Sequence, residues 1–447
     1  MSSLHSSALH HPFCISYFKF LGIGLLFLLF NAAQTAAGNW PSWRGPHGDS
    51  TTNERLFPTS WSKDKNIKWS VALPDRGNAS PIVWEDRVFV SQALEGEHLR
   101  SLMSFNRSDG SLLWQSGVRY VRPESKHETN TYCASSPVTD GERIYVSYAS
   151  AGFYCYDFSG RELWHRNFGP FQHKWGDGSS PILYQNLCIL YRGPGPGASL
   201  VAMDKRTGDT VWRIEQPAVQ AGADREDGFS GNANGMVGSF STPIVMDAGT
   251  RMELVMTYPE TIRSYDPTTG TEFWRCGGLN PLVYCSPLAH EGVIIAMGGF
   301  FGPMVAVKTG GYGDVTDSRR LWKSGRTPHR LSTGVVKENH IYVFDRQGMA
   351  QCIDVKTGES LWQERVRGQG ANSAIWGAAV LAGDTIFVVN QSGDMIVMEA
   401  SPEFKLISVN PLAEKTNTTP ALSNGEIFIR TDHTLWCIAD LSKTASR

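Results

Sequence analysis

Apolar residues in this chain come in short runs rich in Val, Ile, Leu, Tyr and Phe, broken by Gly, Asp, Asn and Ser. Runs of that kind between turn residues predict β-strands. Residues 20–30 differ: they form one uncharged apolar run with Lys19 before it and Ala33, Ala36 and Ala37 after it. That order predicts a secretory signal cleaved near Ala37, because the run is about half of the ~20 residues a spanning helix needs. No Cys follows the run, so a lipid anchor at the cleavage point is not indicated. No later stretch is long and apolar enough to span a membrane.

Behind the signal the pattern repeats. A turn containing Gly is followed four residues later by Trp at Gly110/Trp114, Gly160/Trp164, Gly208/Trp212, Gly270/Trp274 and Gly358/Trp362, with Ser318 replacing Gly before Trp322. Upstream in each unit, Ser or Thr precedes Pro and an apolar strand, at Ser80, Ser136, Ser180, Thr242, Ser286 and Thr419; Thr333-Gly334 and Gly377-Ala378 read as degenerate copies. The first residues of these copies are spaced 56, 44, 62, 44, 47, 44 and 42 apart. Periods of about 40–45 residues belong to four-stranded propeller blades.

The third unit parses as strands at 181–184, 187–191, 199–203 and 210–214, with a Gly-containing turn at 205–208. One such sheet cannot bury both its faces, so it needs a neighbour on each side. The fold expected is all-β: an eight-bladed propeller over residues 65–441. A lead-in at 38–64 precedes it and a short tail at 442–447 follows. The last unit supplies three strands, and residues 67–72, with Trp69, are expected to complete it and latch the ring. Ser104, Cys155, Ala202, Ser264, Ala306, Cys352, Val397 and Cys437 share one column of the third strands. Their small size is expected to leave room for a neighbouring blade's Trp.

Charge narrows the functional classes. Against 41 Lys+Arg stand 43 Asp+Glu, a net charge of −2, so a basic surface for nucleic acid over the whole chain is not expected. Eight Cys occur, Cys14 within the signal, and none is adjacent to another or in CxxC spacing. Buried thiols are the expectation, with one or two disulfides open in an exported chain. The His residues form no HxxxH pair, and there is no GxSxG elbow, P-loop or dinucleotide fingerprint.

One face of such a ring carries the links between blades and the turns joining second and third strands; the links are irregular here, and irregular loops on a rigid scaffold commonly carry function. The longest, 216–240, holds Asp224, Glu226, Asp227, Asn232 and Asn234. They are either Ca²⁺ donors or a solvated loop, and their spacing matches no known calcium loop. Candidate ligand contacts on this face are His127, Asn130, Trp175, Asp177 and Arg192, together with Tyr284, His329, Arg346, Trp376 and Arg430. Trp supplies stacking and Arg planar donors, which would suit a flat anionic ligand.

The stretches "AMDKRTGDTVW" at 202–212 and "CIDVKTGESLW" at 352–362 resemble the tryptophan-docking motif of quinoprotein propellers. With "WPSWRGPHGDS" at 40–50 and "FIRTDHTLWCI" at 428–438, the mature chain resembles exported bacterial PQQ-like, or BamB-like, propeller repeat proteins. The resemblance implies two classes. Dehydrogenases of the group hold pyrroloquinoline quinone (PQQ) on the axis with Ca²⁺, a Trp floor, a catalytic Asp and usually a disulfide between adjacent cysteines. This chain has no adjacent Cys pair and lacks their large inserts. The other class binds protein without catalysis. The expectation is therefore an exported binding or scaffolding module, monomeric, periplasmic or extracellular. Its partner is a protein or glycan at the funnel face. The alternative is a PQQ-dependent oxidoreductase with Ca²⁺, and a polysaccharide-active enzyme on the funnel loops is a third class.

Overall fold

In the first repeat, strands Arg87–Leu94 and Leu99–Asn106 are buried almost end to end, whereas Leu112–Arg119 alternates between exposed and half-buried positions. A strand apolar on both sides must be covered on both sides, and a strand that alternates faces water. The computed structural model describes residues 38–62, 65–170, 172–195, 197–217, 237–299, 301–325 and 332–442, and in them this pattern recurs around a ring. Eight antiparallel four-stranded sheets form the blades: 82–119, 138–166, 182–215, 244–277, 288–323, 335–365, 380–411 and 421–439. The eighth takes its outermost strand from Ile67–Ala72, which pairs antiparallel with Thr434–Ala439 in a register running from Ile67↔Ile438 to Ala72↔Thr434.

Adjacent blades are joined through tryptophan. The indole of Trp114 lies against the turn glycine of the next blade, where a Cβ on Gly160 would come within 2.7 Å of the ring. Its Nε1 donates to the Phe158 carbonyl at 2.9 Å. Trp69, Trp164, Trp212 and Trp322 repeat this on Gly110, Gly208, Gly270 and Gly358. Each of these glycines has φ between +73° and +84°, so the turn conformation and the ring both exclude a side chain.

Three sequence expectations are corrected. The small-residue column faces the Trp of its own blade, as in Cys155↔Trp164 and Ala202↔Trp212, rather than a neighbour's. In the seventh blade Val397 stands opposite Ser408, and no Trp is needed there. Secondly, Ser318 does not sit in a Gly-type hairpin. The chain between the last two strands of the fifth blade makes a longer excursion. Its Gly313–Asp314 pairs in parallel with the outer strand of the fourth blade, and Thr316–Arg319 forms one helical turn. Trp274 accordingly turns its Nε1 to the buried Glu253 carboxylate at 2.7 Å. Thirdly, the seventh copy of the Ser/Thr position is Ala378, two residues before the strand Val380–Ala382, and not Gly377.

All seven described cysteines are buried and unbridged. Burial pushes the Cys133 and Cys155 thiols up to about 12, and Cys276 and Cys352 to about 11, which keeps them unreactive near neutrality. Among the described residues no helix is long and apolar enough to cross a membrane.

Candidate functional site

The Ser/Thr position of each repeat meets its neighbours around the axis. The backbone N–H of Ser80 donates to Ser136 Oγ at 2.9 Å, Ser136 to Ser180 at 3.0 Å, and Ser180 to Thr242 at 2.9 Å. Thr242 donates to Ser286 at 2.9 Å and Ser286 to Thr333 at 3.1 Å. Past a gap at Ala378, which has no hydroxyl, Ala378 N–H donates to Thr419 and Thr419 N–H returns to Ser80, both at 2.8 Å. The result is a girdle of hydroxyls with one interruption. In the sequence these residues read only as markers of strand entry; their shared height in every unit was the available signal.

The lead-in closes the axis on the far side. Trp40 pairs with Val83 of the first blade, the Pro41 carbonyl accepts from Thr139 of the second, and Arg44 donates to the Pro287 carbonyl of the fifth at 2.9 Å. Thr51–Thr52 then pairs in parallel with the seventh blade. Contacts on opposite sides of the ring mean that the segment crosses the axis as a strap. Trp43 stands in the middle, its Nε1 on Thr419 Oγ1 at 2.9 Å.

Above Trp43 and the girdle opens a cavity of about 400 Å³, the size of small-molecule sites. Seven of the ten sequence candidates line it: His127, Asn130, Trp175, Asp177, Tyr284, Arg346 and Trp376. Trp43, Asn78, Phe240 and Asn417 line it too and were missed. Trp175 lies nearly parallel to Tyr284, with centroids 5.9 Å apart, and to Phe240 at 6.3 Å. His173 meets Phe240 edge-on at 5.5 Å. Burial, with Lys174 adding to it, lowers the His173 pKa to about 4, so this ring is neutral at physiological pH.

Asn130 is a strut. Its amide donates to the carbonyls of Trp175 at 2.8 Å and Asp177 at 2.9 Å, and its Oδ1 accepts from Asn78 at 3.1 Å. It thereby holds the 175–178 turn against the wall. His127 Nδ1 meets Thr129 Oγ1 at 2.8 Å and the Thr129 N–H at 3.2 Å. Asp177 is buried; desolvation, helped by Glu124 and opposed by Arg100, raises its carboxyl to about 7.

The remaining candidates lie elsewhere. Arg192 does not line the cavity; its guanidinium holds the carbonyls of Gly169 and Pro170 at 2.8 and 2.9 Å. Arg430 is fully buried between the eighth and first blades. It donates to Ser91 O and Gln92 Oε1, both at 2.7 Å, and burial lowers its pKa to about 10. A Cβ on Gly77 would lie 2.0 Å from this guanidinium, so the glycine makes its room. Both arginines serve the ring and not the funnel. His329 and the acidic residues of the 216–240 link lie outside the described residues.

Fit to a calcium-held quinone can be judged from the donors present. Among the described residues no three His, Cys, Asp or Glu side chains cluster as metal ligands. The described lining carries one carboxylate, Asp177, and one guanidinium, Arg346. A divalent ion is held by several oxygen donors, usually including carboxylates, and a tricarboxylate quinone calls for more than one cation. The described residues of the cavity do not fit that group.

The model of a family described as outer membrane protein assembly factor BamB matches residues 101–230 and 199–445. No curated protein matches the sequence. Among solved structures, BamB from Moraxella catarrhalis is similar with TM-score 0.57 at 15% identity, over 83% of this chain and 96% of that one. Quinohemoprotein alcohol dehydrogenase from Comamonas testosteroni gives TM-score 0.63 at 12% identity, over 91% and 81%. Quinohemoprotein alcohol dehydrogenase ADHIIG from Pseudomonas putida HK5 gives 0.61 at 12%, over 90% and 80%. At such identities the likeness to these structures is one of fold.

Proposed function

The chain belongs to the family described as outer membrane protein assembly factor BamB, and from that footing we propose that it is an exported binding module whose funnel face receives a protein or small-molecule partner. One observation carries the reading. The axial cavity pairs an aromatic wall with hydrogen-bonding groups, while its described lining has a single carboxylate. Acid–base hydrolysis of a glycosidic bond needs two. Such a site is suited to holding a ligand rather than turning it over. Export rests on the signal read at residues 1–37, and leaves the periplasm and the extracellular medium both open.

A second reading, a PQQ-dependent oxidoreductase, draws on the fold shared with the two dehydrogenases and on the cavity's place at the axis. The donor set argues against it. Calorimetric titration with PQQ, with and without Ca²⁺, separates the two. The binding-module reading expects no binding at high micromolar PQQ and no reduction of an artificial electron acceptor with alcohols or sugars. Tight, calcium-dependent, one-to-one binding with acceptor reduction would overturn it.

A further inference from the structure

Many polar groups at the cavity are engaged by the fold, and those left over are mainly donors. Asn130 is committed as described, and Asn417 accepts from Gln391 while donating to the Thr129 carbonyl. Arg346, exposed at the cavity, forms no hydrogen bond or ion pair with a described residue. The indole N–H of Trp376 is buried and meets no partner among the described residues. The hydroxyls of Ser80, Ser136, Ser180 and Thr333 each accept a backbone N–H from the girdle. Their own protons reach no described acceptor. A hydroxyl that accepts a hydrogen bond is polarised into a better donor. Donors round an axis, in a lining with one exposed guanidinium and one buried carboxyl, Asp177, that burial pushes towards its neutral form, call for an acceptor-rich group of single negative charge. The wall of Tyr284, Trp175 and Phe240 calls for a ring to lie against it.

Resting on the binding-module reading, we propose that the axial cavity takes a cyclic monocarboxylate without a metal ion. Arg346 and the girdle hydroxyls receive the carboxylate, and the aromatic wall receives a face of the ring. A uronic acid, free or ending a polysaccharide, and an aryl carboxylate share this chemistry.

The test is calorimetric titration of the purified protein with glucuronate, benzoate and glucose, alongside the PQQ series. At least one carboxylate is expected to bind one-to-one and at least about tenfold more tightly than glucose, a difference of about 1.4 kcal/mol. Tighter glucuronate identifies a sugar source and tighter benzoate an aryl source; either supports the site. Arg346→Gln removes no bond to a described residue, so the melting temperature should hold while the preference for the carboxylate falls to within about threefold of glucose. Failure of both carboxylates to bind more tightly than glucose, or an unchanged preference in R346Q, overturns the proposal. If that happens and PQQ also fails to bind, only the ligand class is lost. Calcium-dependent PQQ binding with acceptor reduction would remove the binding-module reading as well.

Discussion

Asp177 makes the cavity wall respond to pH. Its carboxyl is raised to about 7 in the folded chain by burial and by Glu124, against an ordinary value near 3.8. Below about pH 4 the group is protonated whether the chain is folded or not. Between about 4 and 7 only the folded chain keeps the proton, so stability falls as pH rises through that window. A tenfold difference in proton affinity between the folded and unfolded chain corresponds to about 1.4 kcal/mol. Asp177→Asn is therefore expected to melt above the parent at pH 8 and to lose that advantage at pH 4, as scanning calorimetry can check. The girdle gives a second residue-level prediction. Ser136→Ala would leave the buried Ser80 N–H without its acceptor and should cost about 1–3 kcal/mol in a denaturant titration. Some of this scale was legible in sequence. His127, Trp175, Tyr284 and Trp376 were placed at the funnel because the links between blades run there, and Arg346 because the turns joining second and third strands share that face. Arg192 and Arg430 were misplaced for a physical reason. Each ends a second strand, and that position reports height along the blade. Whether the side chain turns to the axis or into a seam depends on the neighbouring blade.

At the scale of elements, the seam between blades is a ring laid on a glycine. Trp212 is buried on Gly270 and donates to the Pro267 carbonyl at 3.1 Å. Trp212→Ala is expected to cost about 3–5 kcal/mol, the range for a buried aromatic removed from a core. Gly270→Ala should also destabilise, from the other side of the seam. Its φ is +73°, and the new Cβ would stand 2.9 Å from the Trp212 ring. If both losses come from one seam, the double variant will lose less than the two singles together. Seams were readable wherever the hairpin is local, since Gly and Trp stay four positions apart. They were not readable at Ser318, where an inserted excursion brings in a strand for a different blade. The seventh blade misled by one residue. Gly377 looked like the degenerate copy, but its backbone packs against the Thr418 carbonyl and Ala378 holds the girdle position.

At the scale of the whole molecule, the strap and the ring depend on each other. The strap bonds to the first, second, fifth and seventh blades, and Trp43 bonds to the eighth. A chain beginning at residue 65 is expected to lose both stability and any ligand of the axial cavity, because Trp43 is part of the lining. Comparing its melting temperature and its glucuronate titration with the parent checks this. The blade count was legible from the repeat period. The strap was not, because nothing local in "WPSWRGPHGDS" says that it will cross an axis. The eighth blade has a further consequence, in time. Ile67 pairs with Ile438, 438 − 67 = 371 positions later. Contacts that distant in sequence form slowly. During synthesis the segment around Trp69 leaves the ribosome long before its partner exists, and it must stay unpaired until residues 434–438 are made. A chain released early would be an open arc with a bare strand edge at one end and an unmatched one at the other. The strand made about 370 positions later thus decides whether the one around Trp69 finds its place.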